Sequence, residues 1–247
     1  MLGGMIAASL AGVGLPLPLS ALIAVSATSI VGAMVWLVFV YPRSHESPIL
    51  LIMLTLGASV VIRGLAFILW GWDSKSLPSF LPAEAISISR ITIFSQSILV
   101  FVAAVTTVVG LFVFFGYTML GRAMQACADD HKGASLIGIR FESMGLSAFI
   151  LTSALGGLAG VVITPLTTTA YDIGIPLAIK GFLSALVGGL NKTEGVILGG
   201  FTLGLLEALS AGFISSGLRD AIALGIFVLL LVSRPQGLIG GIEAGRI

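Results

Sequence analysis

The chain has 247 residues, of which 57% are hydrophobic and only 9% are charged, whereas about a quarter of residues are charged in an ordinary soluble domain. The net charge of +1 excludes a broad basic surface for nucleic acid, and the single cysteine excludes an internal disulfide. His45 and His131 stand in separate polar segments without metal-ligand spacing, so we expect no metal site. The composition indicates an integral membrane protein.

Apolar runs separated by proline, glycine and charge predict an all-α fold, a polytopic transmembrane helix bundle of about eight membrane segments. The segments are 1–13, 18–40, 49–70, 94–117, 143–164, 177–190, 195–214 and 219–233. The first lacks the positive start and the cleavage site of a secretory signal, so it is interpreted as a membrane helix. The first and sixth segments are short for a span. We expect residues 1–247 to form one transmembrane domain.

Lysines and arginines in the connections predict the orientation, because they are enriched on the cytoplasmic side of short loops. If the connection YPRSHESP at 41–48 is cytoplasmic, seven of these residues lie inside and three outside. The inside set is Arg43, Arg122, Lys132, Arg140, Lys192, Arg234 and Arg246, and the outside set is Lys75, Arg90 and Arg219. Trp70, Trp72 and Asp172 then fall at the outer face, and the C-terminus is cytoplasmic.

Glycines four residues apart recur inside the apolar runs of the C-terminal half. The pairs are Gly156 with Gly160, Gly195 with Gly199, and Gly200 with Gly204. Small residues at this spacing let helix backbones approach closely, which is how membrane helices pack without a hydrophobic driving force. The pattern predicts a tight helix bundle there.

The sequence holds no recognisable catalytic constellation. It has no serine or cysteine with a plausible partner histidine, no paired carboxylates within a span, and no G-x-x-x-x-G-K-[ST] phosphate loop. We therefore expect no enzymatic activity and no cofactor bound by this chain. Energy for any transport must come from a gradient or from a partner.

Three ionisable residues lie within apolar runs, namely Arg63, Lys180 and Glu207. Charges inside a bilayer are costly and usually face the bundle interior or a water-filled path. Counted at 1.5 Å per residue, Arg63 and Glu207 lie roughly 10 Å below the outer helix ends, and Lys180 lies somewhat less deep. We expect Lys180 or Arg63 to compensate Glu207 near the outer mouth of a translocation path. Snorkelling, or an ion pair that only fixes packing, is the alternative.

One polar segment, GRAMQACADDHKGASLIGI at 121–139, stands in the middle of the chain. Its first part is expected to continue the preceding helix, and its later part places Ala134 and Ile137 on one helical face, to which Asp130 also belongs. It predicts a short amphipathic helix or helix pair on the cytoplasmic surface. Two aspartates beside one lysine favour a protein partner over lipid, because lipid-binding helices carry mainly Lys and Arg on the polar face.

This segment is followed in order by KGFLSALVGGL at 180–190, GVILGGFTLGLLEALS at 195–210 and RPQGLIG at 234–240. Together these stretches closely resemble the permease subunits of branched-chain amino acid ATP-binding cassette (ABC) importers. The resemblance covers roughly residues 118–240, with a looser fit before them. It implies that the single domain is a permease domain.

The resemblance further implies a second permease subunit, related or identical, two cytoplasmic ATPases that bind the ATP, and an extracytoplasmic binding protein that delivers substrate. The polar segment would be the coupling helix that docks on an ATPase. Its candidate contacts are Arg122, Asp129, Asp130, His131 and Lys132, with Leu136 and Ile137 as packing residues. Gly121, Ala134 and Gly138 would shape its backbone.

Two further expectations concern the extent of the chain and its substrate. Members of the family normally begin with a further span, so we expect that an N-terminal span is missing here. LLEALS and IKGF look more like the amino acid branch than the branch for urea and short amides, which stays an alternative. The other alternative is a secondary transporter or channel that works without ATPases.

Overall fold

A computed structural model describes residues 1–44, 46–80, 85–88, 91–189, 193–213, 217 and 219–233. The helices are α1 Leu2–Gly12, α2 Leu17–Val35, α3 Pro48–Trp70, α4 Ser95–Tyr117, α5 Met119–Asp129, α6 His131–Leu136, α7 Phe141–Thr167, α8 Gly174–Gly188, α9 Thr193–Phe213 and α10 Arg219–Ser233. A π-helical turn, Trp36–Val40, and a 3₁₀ turn, Tyr41–Arg43, extend α2. The predicted all-α bundle is confirmed, since a helix occupies each of the eight predicted segments.

Within the described residues, five helical stretches are long and apolar enough to cross a membrane. They are Leu17–Arg43, Ile49–Trp70, Ser95–Tyr117, Phe141–Thr167 and Gly195–Phe213. Two of the remaining helices, α1 and α8, are apolar but shorter, as expected for the first and sixth segments. The chain therefore has the architecture of a multi-pass membrane protein.

A short β-hairpin lies in the connection between α3 and α4, for which no strand was predicted. Strand β1, Ala85–Ile88, pairs antiparallel with β2, Ile91–Phe94. The sequence does carry a signal for it, because isoleucine alternates with serine or threonine through both strands, and alternation of period two is typical of strands.

The described chain forms two compact units, Met1–Ile173 and the part from Gly174 onward. In the first unit, α1, α2 and α7 pack together around Ala7, Ala24 and Val161, all at most 2% exposed. Small residues allow this approach, since a Cβ on Gly3 would meet the backbone of Gly157. Close approach of helix backbones at small residues thus contributes to the first core.

The glycine prediction is partly confirmed in this unit. A Cβ on Gly160 would lie 3.2 Å from Gly4 N of α1, whereas one on Gly156 would meet nothing within 4 Å. Spacing in sequence identifies pairs of glycines, but only the member that faces a neighbouring helix lets the backbones approach.

Hydrogen bonds connect the ends of three helices of the first unit, α1, α3 and α7. Trp70 Nε1 donates to Ser9 Oγ at 2.6 Å, which joins the end of α3 to α1. Lys75 and Thr169 exchange two backbone hydrogen bonds of 2.8 Å, which join the connection after α3 to the chain after α7. This arrangement agrees with the alternation of the predicted spans.

The second unit consists of α8, α9 and α10 in mutual contact, with Val187 and Leu203 in its core. A Cβ on Gly195 or Gly199 of α9 would collide with backbone atoms of α8. This is the close packing predicted for that pair. Gly200 and Gly204 have open space around their Cβ positions, so the second predicted pair does not pack this way.

Candidate functional site

The polar segment 121–139 folds as a helix pair, α5 and α6, that contacts α7. The expectation that α4 continues into it is wrong, because Thr118 interrupts the helix with φ −93° and ψ 146°. The Thr118 hydroxyl donates to Phe114 O at 2.6 Å and accepts from Gly121 N at 3.0 Å. One threonine thus closes α4 and caps α5.

Arg122 fixes this corner further. Its Nε and Nη2 donate to Gly116 O at 3.0 and 2.9 Å. The guanidinium therefore satisfies a carbonyl at the end of α4, where a cation also interacts favourably with the helix dipole. Arg122 orients α5 on the span before it.

Apart from Arg122, the charged residues of the segment lie where α5 passes into α6. Asp130 adopts φ −145° and its Oδ1 accepts from Lys132 N at 3.0 Å, so it is the N-cap of α6. Asp129 and Lys132 are exposed. His131 begins α6, and its side chain lies outside the described residues.

Leu136 and Ile137 are the most exposed apolar pair of the segment, with 87% and 74% of their surface accessible. The turn that presents them is a Schellman motif, in which Gly138 adopts φ 86° and Ile139 N donates to Ala134 O at 3.1 Å. Ala134 is 4% exposed, so the expected shared face of Ala134 and Ile137 is wrong. The motif presents two large apolar side chains on a fixed backbone.

The second unit contains a three-helix ion cluster. Lys180 Nζ of α8 lies 2.8 Å from Glu207 Oε1 of α9 and 2.9 Å from Asp220 Oδ1 of α10. The side chains of Lys180 and Glu207 are 14% and 20% exposed, whereas that of Asp220 is 50% exposed. One ammonium thus connects the three helices of the unit.

Of the three residues predicted for a path, the structure brings Lys180 and Glu207 together. Arg63 belongs to the first unit, where its Nε donates to Ser59 O at 3.3 Å. The sequence reasoning missed Asp220, because a carboxylate in the first turn of a helix is normally explained by the helix dipole. The signal that could have identified Asp220 is its depth in the membrane. The start of α10, which carries Asp220, returns to the depth at which Lys180 of α8 lies.

Within the residues that the structure describes, no three of the side chains of His, Cys, Asp and Glu are grouped as metal ligands. With one ammonium within 2.9 Å of two carboxylates, the ion cluster has the chemistry of a salt bridge network. The α5–α6 pair has that of a protein contact surface.

Comparisons with known proteins give one family. The sequence profile described as "Branched-chain amino acid transport system / permease component" matches residues 1–231. The chain is 30% identical over 203 residues to the high-affinity branched-chain amino acid transport system permease protein BraD of Pseudomonas aeruginosa, covering 78% of this chain and 64% of BraD. It is 27% identical over 212 residues to LivH of Escherichia coli K12, which carries the same description, covering 83% and 68%.

A relative with another printed role is also similar. The autoinducer 2 import system permease protein LsrC of Yersinia enterocolitica is 28% identical over 165 residues, which cover 64% of this chain and 45% of LsrC. No solved structure matches the chain. The matched segment thus spans a little under two thirds of BraD and less than half of LsrC.

Proposed function

Since the chain belongs to the family of branched-chain amino acid transport system permease components, we propose that it is the membrane-spanning subunit of an ABC importer for branched-chain or related amino acids. The single observation that carries this is the family match over residues 1–231. The five long apolar helical stretches support it. Hydrolysis of ATP then belongs to partner ATPases, and the protein resides in the cytoplasmic membrane with its C-terminus inside.

The α5–α6 pair is the proposed docking element for an ATPase. Its support is the combination of exposed Leu136 and Ile137 with exposed charges at Asp129 and Lys132 on a capped, rigid corner. Apolar side chains surrounded by charge are typical of a protein interface, in which buried anchors supply affinity and rim charges supply specificity. Movement of the docked pair with the ATPases would transmit the power stroke to α4 and α7.

The ion cluster is proposed to line the outer part of a translocation path, and Arg63 stays a separate candidate for such a role. The support for this proposal is that Lys180 and Glu207 are charged residues within apolar helices, where a charge is energetically costly. The pairing of Lys180 with both carboxylates lowers that cost.

The function is tested with the full complex in proteoliposomes, consisting of this chain, the second permease subunit, both ATPases and the binding protein. We expect ATP-dependent accumulation of leucine, isoleucine or valine. Accumulation that continues without the ATPases would instead identify a secondary transporter or channel. Uptake of urea or short amides, with no uptake of branched-chain amino acids, would instead assign the chain to the branch of the family that transports urea and short amides.

The docking role is tested with two matched substitutions. Asp129→Glu keeps the exposed negative charge and should leave uptake coupled to hydrolysis, whereas Asp129→Arg reverses it, and both variants keep Asp130 as the N-cap of α6. We expect Asp129→Arg to weaken ATPase association or to uncouple hydrolysis from uptake. Wild-type coupling in Asp129→Arg would contradict the proposal.

Autoinducer 2 is a second candidate substrate, because the similarity to LsrC reaches 165 residues. Ligand binding to the cognate binding protein separates the two candidates. A binding protein that binds autoinducer 2 and no branched-chain amino acid would favour the second.

A further inference from the structure

Three aromatic rings meet where α3 and α7 end in the first unit. Phe67, Trp72 and Tyr171 contact one another in pairs, with ring centroids 5.2 to 5.8 Å apart and inclined rings. Trp72 is 74% exposed, so much of the cluster surface is accessible. Asp73 and Asp172 follow Trp72 and Tyr171 in sequence, and both are exposed. We call these five residues the aromatic patch.

The patch rests on a fixed backbone. The two hydrogen bonds between Lys75 and Thr169 clamp together the chain segments that carry Trp72 and Tyr171. Lys75 Nζ also lies 3.4 Å from Ser9 Oγ, which ties the clamp to α1. A surface held in this way loses little conformational entropy when a partner binds.

The charge of the aromatic patch indicates which kind of partner binds to it. Tryptophan and tyrosine at a membrane boundary commonly anchor the protein in the headgroup layer. Here, however, the rings pack on one another, and two carboxylates stand beside them. Exposed carboxylates are repelled by anionic headgroups and attract Lys and Arg on a protein. Large aromatic side chains with charges at their edge are typical of binding hot spots.

We propose that the aromatic patch is the docking surface for the extracytoplasmic binding protein, which meets it with a basic surface. The inference rests on the proposed function, because that function supplies the partner and places the patch at the outer face. The rings provide the apolar anchor of the contact, and Asp73 and Asp172 orient the basic side chains of the partner.

The test titrates the substrate-loaded binding protein against the complete transport complex in proteoliposomes and measures the concentration that gives half-maximal stimulation of ATP hydrolysis. We expect Asp73→Lys with Asp172→Lys to raise this concentration about tenfold or more. Trp72→Ala should raise it by a similar factor, because it removes the anchor. Added salt should weaken stimulation of the wild type but not that of the charge-reversed variant, because there it screens the repulsion between the new lysines and a basic partner.

Glu46→Lys is the matched control, since Glu46 is an exposed carboxylate in the connection between α2 and α3, predicted at the opposite face. It should leave the half-maximal concentration unchanged. Equal concentrations for wild type and the charge-reversed variant would overturn the docking role. If Trp72→Ala only lowers the yield of inserted protein, the ring anchors lipid, and this too overturns it. A wild-type complex that transports without any response to binding protein would instead overturn the proposed function.

Discussion

Thr168 ends α7 with φ 61° and ψ 170°, a region of backbone space that is essentially reserved for glycine and costs other residues about 1 to 3 kcal/mol. The position joins α7 to the segment that carries Tyr171. We expect Thr168→Gly to stabilise the protein by about 1 kcal/mol, because relief of strain exceeds the extra entropy of glycine in the unfolded chain. The midpoint of thermal unfolding in detergent measures this.

Thr168→Ala separates strain from the loss of the threonine side chain. Alanine keeps the unfavourable conformation and also removes the hydrogen bond from Thr168 Oγ1 to Thr167 O. It should therefore unfold at or below the wild-type temperature. If Thr168→Gly is no more stable than Thr168→Ala, the backbone at this position is not strained.

Lys180 carries the second prediction at this scale. Lys180→Met leaves Glu207 and Asp220 close together without their shared cation. We expect a loss of about 2 to 4 kcal/mol, because removing one partner of a largely buried pair leaves an uncompensated charge. The free energy of unfolding in mixed micelles would report it.

The double variant Lys180→Met with Glu207→Gln provides the comparison. It removes one of the two carboxylates, so we expect it to recover part of the lost stability. A double variant no more stable than Lys180→Met alone would show that the cluster does not hold the helices together.

At the scale of single residues, the sequence predicted that Glu207 needs a counter-charge, and it left Lys180 and Arg63 as the choices. A charged residue within an apolar run can be recognised from the sequence alone, which is why Glu207 was identified. The actual pairing depends on how α8 and α9 pack, through contacts such as that of Gly199 with Ser184 O. That packing has no local signature, so the choice between Lys180 and Arg63 could not be made in advance.

Among the elements, the junction of α4 and α5 has the clearest physical cause. Gly121 is buried, and a Cβ there would collide with the carbonyl of Phe114. We expect Gly121→Ala to push α5 away from α4, break the bond between Arg122 and Gly116, and weaken association of the ATPases. Co-purification of the ATPases with the permease checks this.

Gly110→Ala is the matched control on α4, because a Cβ at Gly110 meets nothing within 4 Å. Alanine has a higher helix propensity than glycine. The control should therefore assemble as the wild type does, and so should Gly121→Ala if α5 does not need its contact with α4.

The positions of the helices could be predicted from the sequence because they depend on long apolar runs, which are local. The break at Thr118 could not be predicted in this way. A helix-forming run continues through it, and the interruption depends on two hydrogen bonds of one side chain. No strand was predicted for the hairpin β1–β2, since its alternating pattern is short and lies between two predicted membrane segments.

For the whole molecule, the exposed surface of the spans indicates what must surround it. The most apolar windows of α3 and α4 are 11% and 0% buried within the chain. Surfaces of this composition are stable only against lipid or another membrane protein. The predicted second permease subunit would cover part of them.

The orientation of the chain in the membrane is the last prediction, and a matched pair of exposed serines tests it. Ser74 lies in the connection after α3, and Ser135 lies in α6. In a Cys127→Ser background the chain has no other thiol, because Cys127 is its single cysteine and is buried. We expect a membrane-impermeant maleimide to label Ser74→Cys in intact spheroplasts and Ser135→Cys only in inverted vesicles, because the connections rich in Lys and Arg remain inside. Label on both cysteines from the same side would refute the alternation of spans. The reverse pattern would keep the alternation but place the aromatic patch in the cytoplasm, where an extracytoplasmic binding protein has no access to it.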